Sequence, residues 1–306
     1  MAITGYQQYW NNIGKVRNKG VEIELNTYNI KNKRFEWQTI FNISANKNRL
    51  LQLGQGEERL LSYGERSEVY VARVGGPSIQ YFGYQTDGVW LSQEEIDASN
   101  LTYLVGKTVK PGTLKVVNQD NGDIIDADDR VVLGDPFPDF TWGMTNNFKI
   151  HKFDVSMLFQ GVQGVTVLNG DGYYSETKKI NRAYTNNRYI SPEYPGDGKT
   201  PTFANGDGMA WELTDYLLQD ASYAAIRDLS IGYRFDKRDL KSLGINNLRV
   251  YASAQNLLYL WSGEYKGINP EARYTSGPYS SPLVDGYQRG GFPAQRTFSF
   301  GFEITF

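Results

Sequence analysis

Residues 295–306 close the chain on an unbroken alternation: Phe298, Phe300, Phe302, Ile304 and Phe306 fall on one face, Thr297, Ser299, Gly301, Glu303 and Thr305 on the other. A period of two marks a β-strand, and one face of this strand is almost wholly aromatic. About 9–11 tilted residues carry a strand across a bilayer, so 297–306 has the length of one crossing with its phenyl groups towards lipid.

The same pattern recurs upstream. Val21, Ile23 and Leu25 oppose Glu22, Glu24 and Asn26; after a polar turn at 29–33, Phe35, Trp37, Thr39, Phe41 and Ile43 oppose Glu36, Gln38, Asn42 and Ser44. This predicts a hairpin. A second hairpin is predicted where Phe140, Trp142, Met144 and Phe148 precede Phe153, Val155, Met157 and Phe159, with a tight turn near 150–152. Leu229, Ile231, Tyr233 and Phe235, then Leu248, Val250, Ala252 and Ala254, give two further strands around a turn at 236–246. Irregular stretches at about 50–138, where short β-like runs stand at 68–73 and 79–90, at 162–222 and at 256–294 separate these pairs, so short turns alternate with long loops in one phase. Outer-membrane barrels have that asymmetry, with short periplasmic turns and long outer loops. About seven crossings follow, an odd set that does not close a single-chain bacterial barrel by itself. The competing reading is a soluble extracellular carbohydrate-binding β-sandwich whose oily faces meet each other.

Composition adds limits. No run approaches the roughly eighteen apolar residues of a membrane helix, so any span is β. A formal charge of −2 argues against nucleic acid as a partner, and the absence of Cys removes thiolate metal sites and Cys nucleophiles. The opening MAITGYQQYW lacks a basic segment followed by an apolar one, so no signal peptide is read there.

Candidate chemistry is sparse. His151 is the one histidine and sits at a predicted short turn without convergent partners, so no catalytic residue is assigned. The stretch 118–129 places Asn118, Asp120 and Asp129 at positions 1, 3 and 12 of an EF-hand-type loop. Gly122 and Asp123 fall in the reverse of the expected order. Calcium and a plain Asn-Gly turn both remain open. Tyr173, Tyr174, Tyr184, Tyr189, Tyr194 and Trp211 gather in the second long loop, where flat aromatic faces suit sugars or peptides and equally suit packing of the loop on itself or on a partner. Glu22, Glu24, Glu36, Asp154, Arg234 and Arg249 face away from the apolar side, as rungs of a lumen ladder or along a substrate path.

Several spaced motifs carry a resemblance. Asn12-Ile13-Gly14 with Asn18-Lys19-Gly20-Val21-Glu22, Gly134-Asp135-Pro136 with Pro138, Tyr223 with Ile226-Arg227, Ala254-Gln255-Asn256-Leu257, Gly267-Ile268-Asn269-Pro270-Glu271 and the closing 296–301 resemble, in order, the C-terminal third of SusC/RagA-type TonB-dependent receptors of the Bacteroidota. The resemblance implies an all-β, antiparallel transmembrane barrel of about 22 strands, with residues 1–306 as its C-terminal part and the plug and N-terminal strands absent. It further implies a multi-pass protein of the outer membrane that is not an enzyme. A SusD-like surface lipoprotein would lid it, and TonB, acting through a missing N-terminal region, would power import of an oligosaccharide or peptide. Its remaining partners are outer-membrane lipid and the barrel-assembly machinery, for which Phe298, Phe300, Phe302 and Phe306 form the C-terminal assembly signal. Family members commonly carry an Asp-rich calcium loop where 118–129 stands.

Overall fold

The computed structural model describes residues 14–54, 58–63, 69–103, 107–172, 187–202, 209, 212–240, 242 and 244–306. Seven strands form one antiparallel sheet in chain order: β1 (Gly14–Lys31), β2 (Phe35–Leu53), β3 (Phe140–Ile150), β4 (Phe153–Gln163), β5 (Tyr223–Arg234), β6 (Asn247–Trp261) and β7 (Thr297–Thr305).

The hairpins stand where alternation puts them. β3 and β4 meet at Ile150↔Phe153, and His151 between them is exposed, with a left-handed φ of 54° and its N–H donated to the Arg34 carbonyl. Four strands run well past the apolar pattern, β1, β2, β5 and β6, with β2 ending at Leu53 and β6 at Trp261, inside the stretches expected to be loops. β1 begins at Gly14 because Lys15, Arg17 and Lys19 extend the alternation with charged residues that hydrophobicity does not register. β5 begins at Tyr223, ahead of Leu229, because a register shift between Ile226 and Asp228 breaks its period.

The two faces of this wall differ. On one, Val21, Ile23, Leu25, Ile231 and Val250 are exposed, and Phe300 is 84% accessible. A β-sandwich would bury such a face under a second sheet, whereas here it lies bare. Among the described residues of this face the buried polar one, Asn146, is satisfied: its Oδ1 accepts from Trp37 Nε1 at 3.0 Å and from Thr39 Oγ1 at 2.8 Å. The opposite face is a polar ladder of cross-strand pairs: Asn48 to Asn18 at 2.8 Å, Ser44 to Glu22 at 3.3 Å, Gln38 to Asn26 at 2.9 Å and Ser156 to Asn147 at 2.9 Å.

The buried core lies in the loops. Tyr70, Tyr81, Leu168, Leu213, Tyr279 and Tyr287 pack as one cluster drawn from all three long connections. Tyr279 and Tyr287 stack at 3.9 Å, and Tyr81 Oη donates to the Thr166 carbonyl at 3.0 Å. A four-stranded sheet, ordered Arg130–Gly134, Gln80–Tyr84, Val69–Arg73 and Glu58–Tyr63, braces the first loop. A three-stranded sheet of Leu218–Asp220, Thr166–Asn169 and Tyr287–Gln288 ties the second loop to the third.

Candidate functional site

Two groups of residues converge on the polar side of the wall, and a cavity opens among the loops above it. Near the short turns, Arg249 on β6 reaches across β5 to Asp154 on β4, Nη2 to Oδ2 at 2.6 Å, and its Nη1 donates to Glu303 on β7 at 3.2 Å. The intervening position on β5 is Gly232, where a Cβ would come within 2.6 Å of the guanidinium and 2.8 Å of Asp154. Arg234 approaches Asp154 at 3.8 Å, and Lys149 bonds Glu36 at 2.9 Å. Of the acids and bases expected to form rungs, Glu22, Glu36, Asp154, Arg234 and Arg249 thus have wall partners.

At the other end of β5, the bulge turns Arg227 into a five-partner hub. Its Nε donates to Gln160 at 2.7 Å and its Nη1 to Asn256 at 3.1 Å; Glu271, Tyr259 and Tyr223 complete the ring. Glu271 belongs to the third loop, so this ion pair pins that loop to the wall. Burial pushes the Glu271 carboxyl up, but hydrogen bonds from Arg227, Tyr223 and Tyr259 outweigh it and hold it below the usual carboxylate range. Periodicity gives no role to these residues. The signal that could have found them is their presence in three separate motifs of the chain, at Tyr223 and Arg227, at Asn256, and at Glu271.

The cavity, of about 490 Å³, opens between the second and third loops. Asp197, Lys199, Thr200, Gln219, Glu264 and Lys266 are among the residues that line it, so it presents both signs of charge together with neutral donors and acceptors. Asp197 is committed within its own turn: burial raises its carboxyl, but bonds from Thr200 and Lys199 draw it below the ordinary range.

The aromatic residues expected to bind substrate divide. Tyr189 is buried against Val89 and Leu114 and donates to the Leu91 carbonyl at 3.0 Å, so its ring serves loop packing. Tyr194 is 70% exposed. Tyr173, Tyr174, Tyr184 and Trp211 lie outside the described residues.

The acidic loop spends its oxygens on its own backbone. Asp129 accepts from the N–H of Gln119 at 2.7 Å and of Asp126 at 2.8 Å; Asp120 accepts from Gly122 at 2.7 Å, and Asn118 from Asn121 at 2.7 Å. Among the described residues no three His, Asp or Glu side chains gather to hold a metal. In this loop the left-handed residue is Asn121, at φ 61°, and the reversed Gly122-Asp123 order puts glycine, with no side-chain oxygen, at the fifth position.

Seven meandering strands, apolar outside and polar inside, with short turns at one end and braced loops at the other, define a segment of an antiparallel transmembrane β-barrel. The sequence is SusC/RagA-like. It is 30% identical over 99% of its length to TonB-dependent receptor P3 of Formosa agariphila and 24% identical over 98% to TonB-dependent receptor SusC of Bacteroides thetaiotaomicron. The chain spans about 30% of the length of these curated relatives. In fold it matches the RagAB peptide transporter with a TM-score of 0.68 at 19% identity, covering 99% of this chain and 31% of that one. No family model matches the sequence.

Proposed function

We propose that residues 1–306 form the C-terminal part of the barrel of an outer-membrane TonB-dependent nutrient importer of SusC type, a transporter and not an enzyme. Cargo, an oligosaccharide or peptide, binds at the outer face beneath a SusD-like lipoprotein. TonB-driven movement of a plug outside this segment then opens the lumen. The observation that carries the reading is the two-faced wall: exposed apolar side chains on one side, a hydrogen-bonded polar ladder on the other. The polar cavity between the second and third loops is the candidate cargo contact; the exposed Tyr194, together with Tyr173, Tyr174, Tyr184 and Trp211, gives further candidates. For the acidic loop we favour a turn held by Asp120 and Asp129 over a calcium site. Calorimetric calcium uptake that is lost in D120A/D129A would reverse that choice.

The test is made on the assembled receptor. It should partition with the outer membrane, need detergent for extraction and migrate differently in a gel before and after heating. A receptor released without detergent, with one mobility throughout, would overturn the membrane reading in favour of a soluble binding protein.

A further inference from the structure

The outward face of the first hairpin does not end where its apolar residues end. On β1 it carries Leu25, Ile23 and Val21 and then, with no change of face, Lys19 and Arg17; on β2 it carries Phe41, Ile43 and Ala45 and then Lys47 and Arg49. Register sets Lys19 directly opposite Lys47 and Arg17 directly opposite Arg49. All four side chains are exposed. Among the described residues no ion pair neutralises any of them.

Like charges directly opposite on adjacent strands repel, so this quartet gains from an anion placed between its members. Its level is set by the band beneath it. From Ile30 near the short turn to Lys19 is about eleven steps of about 3.3 Å, inclined at about 45°, which makes about 26 Å. The apolar band of an outer-membrane barrel is about 25 Å tall. The four cations therefore begin where the hydrocarbon ends, at the headgroup level of the leaflet on the long-loop side. Two guanidiniums offer paired N–H donors to phosphate oxygens, and two ammoniums add compact charge.

We propose that Arg17, Lys19, Lys47 and Arg49 bind the phosphate groups of a phosphorylated glycolipid of the outer leaflet, whose acyl chains lie along Val21, Ile23, Leu25, Phe41 and Ile43. The proposal rests on the membrane orientation given above. Neither the lumen ladder nor the loop core uses these side chains.

The experiment measures binding of bis-phosphorylated lipid A to the delipidated, assembled receptor in non-ionic detergent by native mass spectrometry. R17Q/K19Q/K47Q/R49Q should weaken binding by about tenfold or more, as expected for the loss of four exposed but concerted charges. The charge-conserving R17K/K19R/K47R/R49K should keep it, and lipid A stripped of its phosphates should bind the wild type as weakly as phosphorylated lipid A binds the glutamine variant. Unchanged binding by the glutamine variant overturns the proposal. Inorganic phosphate bound as tightly as the lipid overturns the lipid assignment and leaves a free-anion site. Should the quadruple variant fail to assemble, K19Q/K47Q gives the same reading. Heat-dependent gel mobility of the same samples reports separately on the barrel, so a modifiable receptor with unaltered lipid binding removes this inference alone.

Discussion

A methyl group at position 232 would stand in the path of the Arg249–Asp154 pair, because the guanidinium crosses β5 over the bare backbone of Gly232. Gly232→Ala should displace Arg249 and destabilise the assembled receptor by about 1–3 kcal/mol in urea unfolding. Gly263→Ala, where a Cβ meets nothing within 4 Å, is the matched control. Asn146 offers a second test on the other face. Replacing it with Leu leaves both the Trp37 indole N–H and the Thr39 hydroxyl without their shared acceptor, at a cost of about 1–3 kcal/mol, whereas W37F/N146L removes the indole donor together with the acceptor and should recover the Trp37 part of the loss. A double-mutant cycle in the same unfolding assay decides this; additive losses would show that the bond contributes nothing. These side chains were hard to read from sequence for one reason. Asn146 interrupts the apolar alternation of its strand, and a polar residue in an oily stripe identifies itself only when its partners on β2 are known. Lys15, Arg17 and Lys19 hid the first turns of β1 in the same way, by continuing a strand in residues that hydrophobicity ignores.

Among the elements, the loops differ most from their expected form. Alternation marked all the wall strands because their two environments, lipid and lumen, enforce a period of two. The loop strands, only a few residues long, carry no such constraint, so in 50–138 the β-like runs at 68–73 and 79–90 marked two strands of a four-stranded sheet, while its members Glu58–Tyr63 and Arg130–Gly134 went unread. Accessibility of the second loop can be checked directly. In whole cells a cysteine at Tyr194 should label with a membrane-impermeant thiol reagent and one at Tyr189 should not; labelling of neither until the cells are broken would reverse the orientation. The third loop should respond to acid. Glu271 is held below its ordinary range, so the folded state is favoured by this group above the unfolded pKa of about 4.3 and loses that contribution as pH falls through the lower folded value. Proteolysis of 262–294 should therefore rise at pH below about 4, and E271Q should be cut readily already at neutral pH and show little further change. For β7, deleting Phe306 removes one exposed aromatic worth roughly 1.5–3 kcal/mol of burial in lipid. The amount of assembled receptor should fall far more than the melting temperature of what does assemble; wild-type yield with a lowered melting temperature would reduce Phe306 to a packing residue.

For the whole molecule, the sheet has two outer edges, β1 and β7, that no other strand among the described residues covers. An uncovered edge in hydrocarbon leaves backbone groups unsatisfied at several kcal/mol each. The 306-residue chain alone should accordingly give no discrete conductance steps in a planar bilayer, and regular steps from the purified chain would contradict the barrel-segment reading. The fold class was legible in the sequence because one amphipathic period repeats along the whole wall. Most of the candidate site was not, because Arg227 meets Asn256 and Glu271 through a bulge and a loop return that no local pattern encodes.

The shared loop core also bears on how such a protein can be re-engineered. Tyr279 and Tyr287 of the third loop pack with Leu168, Leu213 and Leu217 of the second and Tyr70 and Tyr81 of the first, so among the described residues the three loops share one interior. A single loop grafted from a relative would strip the other two of their packing surface, while the three moved together would carry theirs along. The three loops are therefore best treated as one cassette, and a graft that keeps its packing is to be sought in exchange of the whole set.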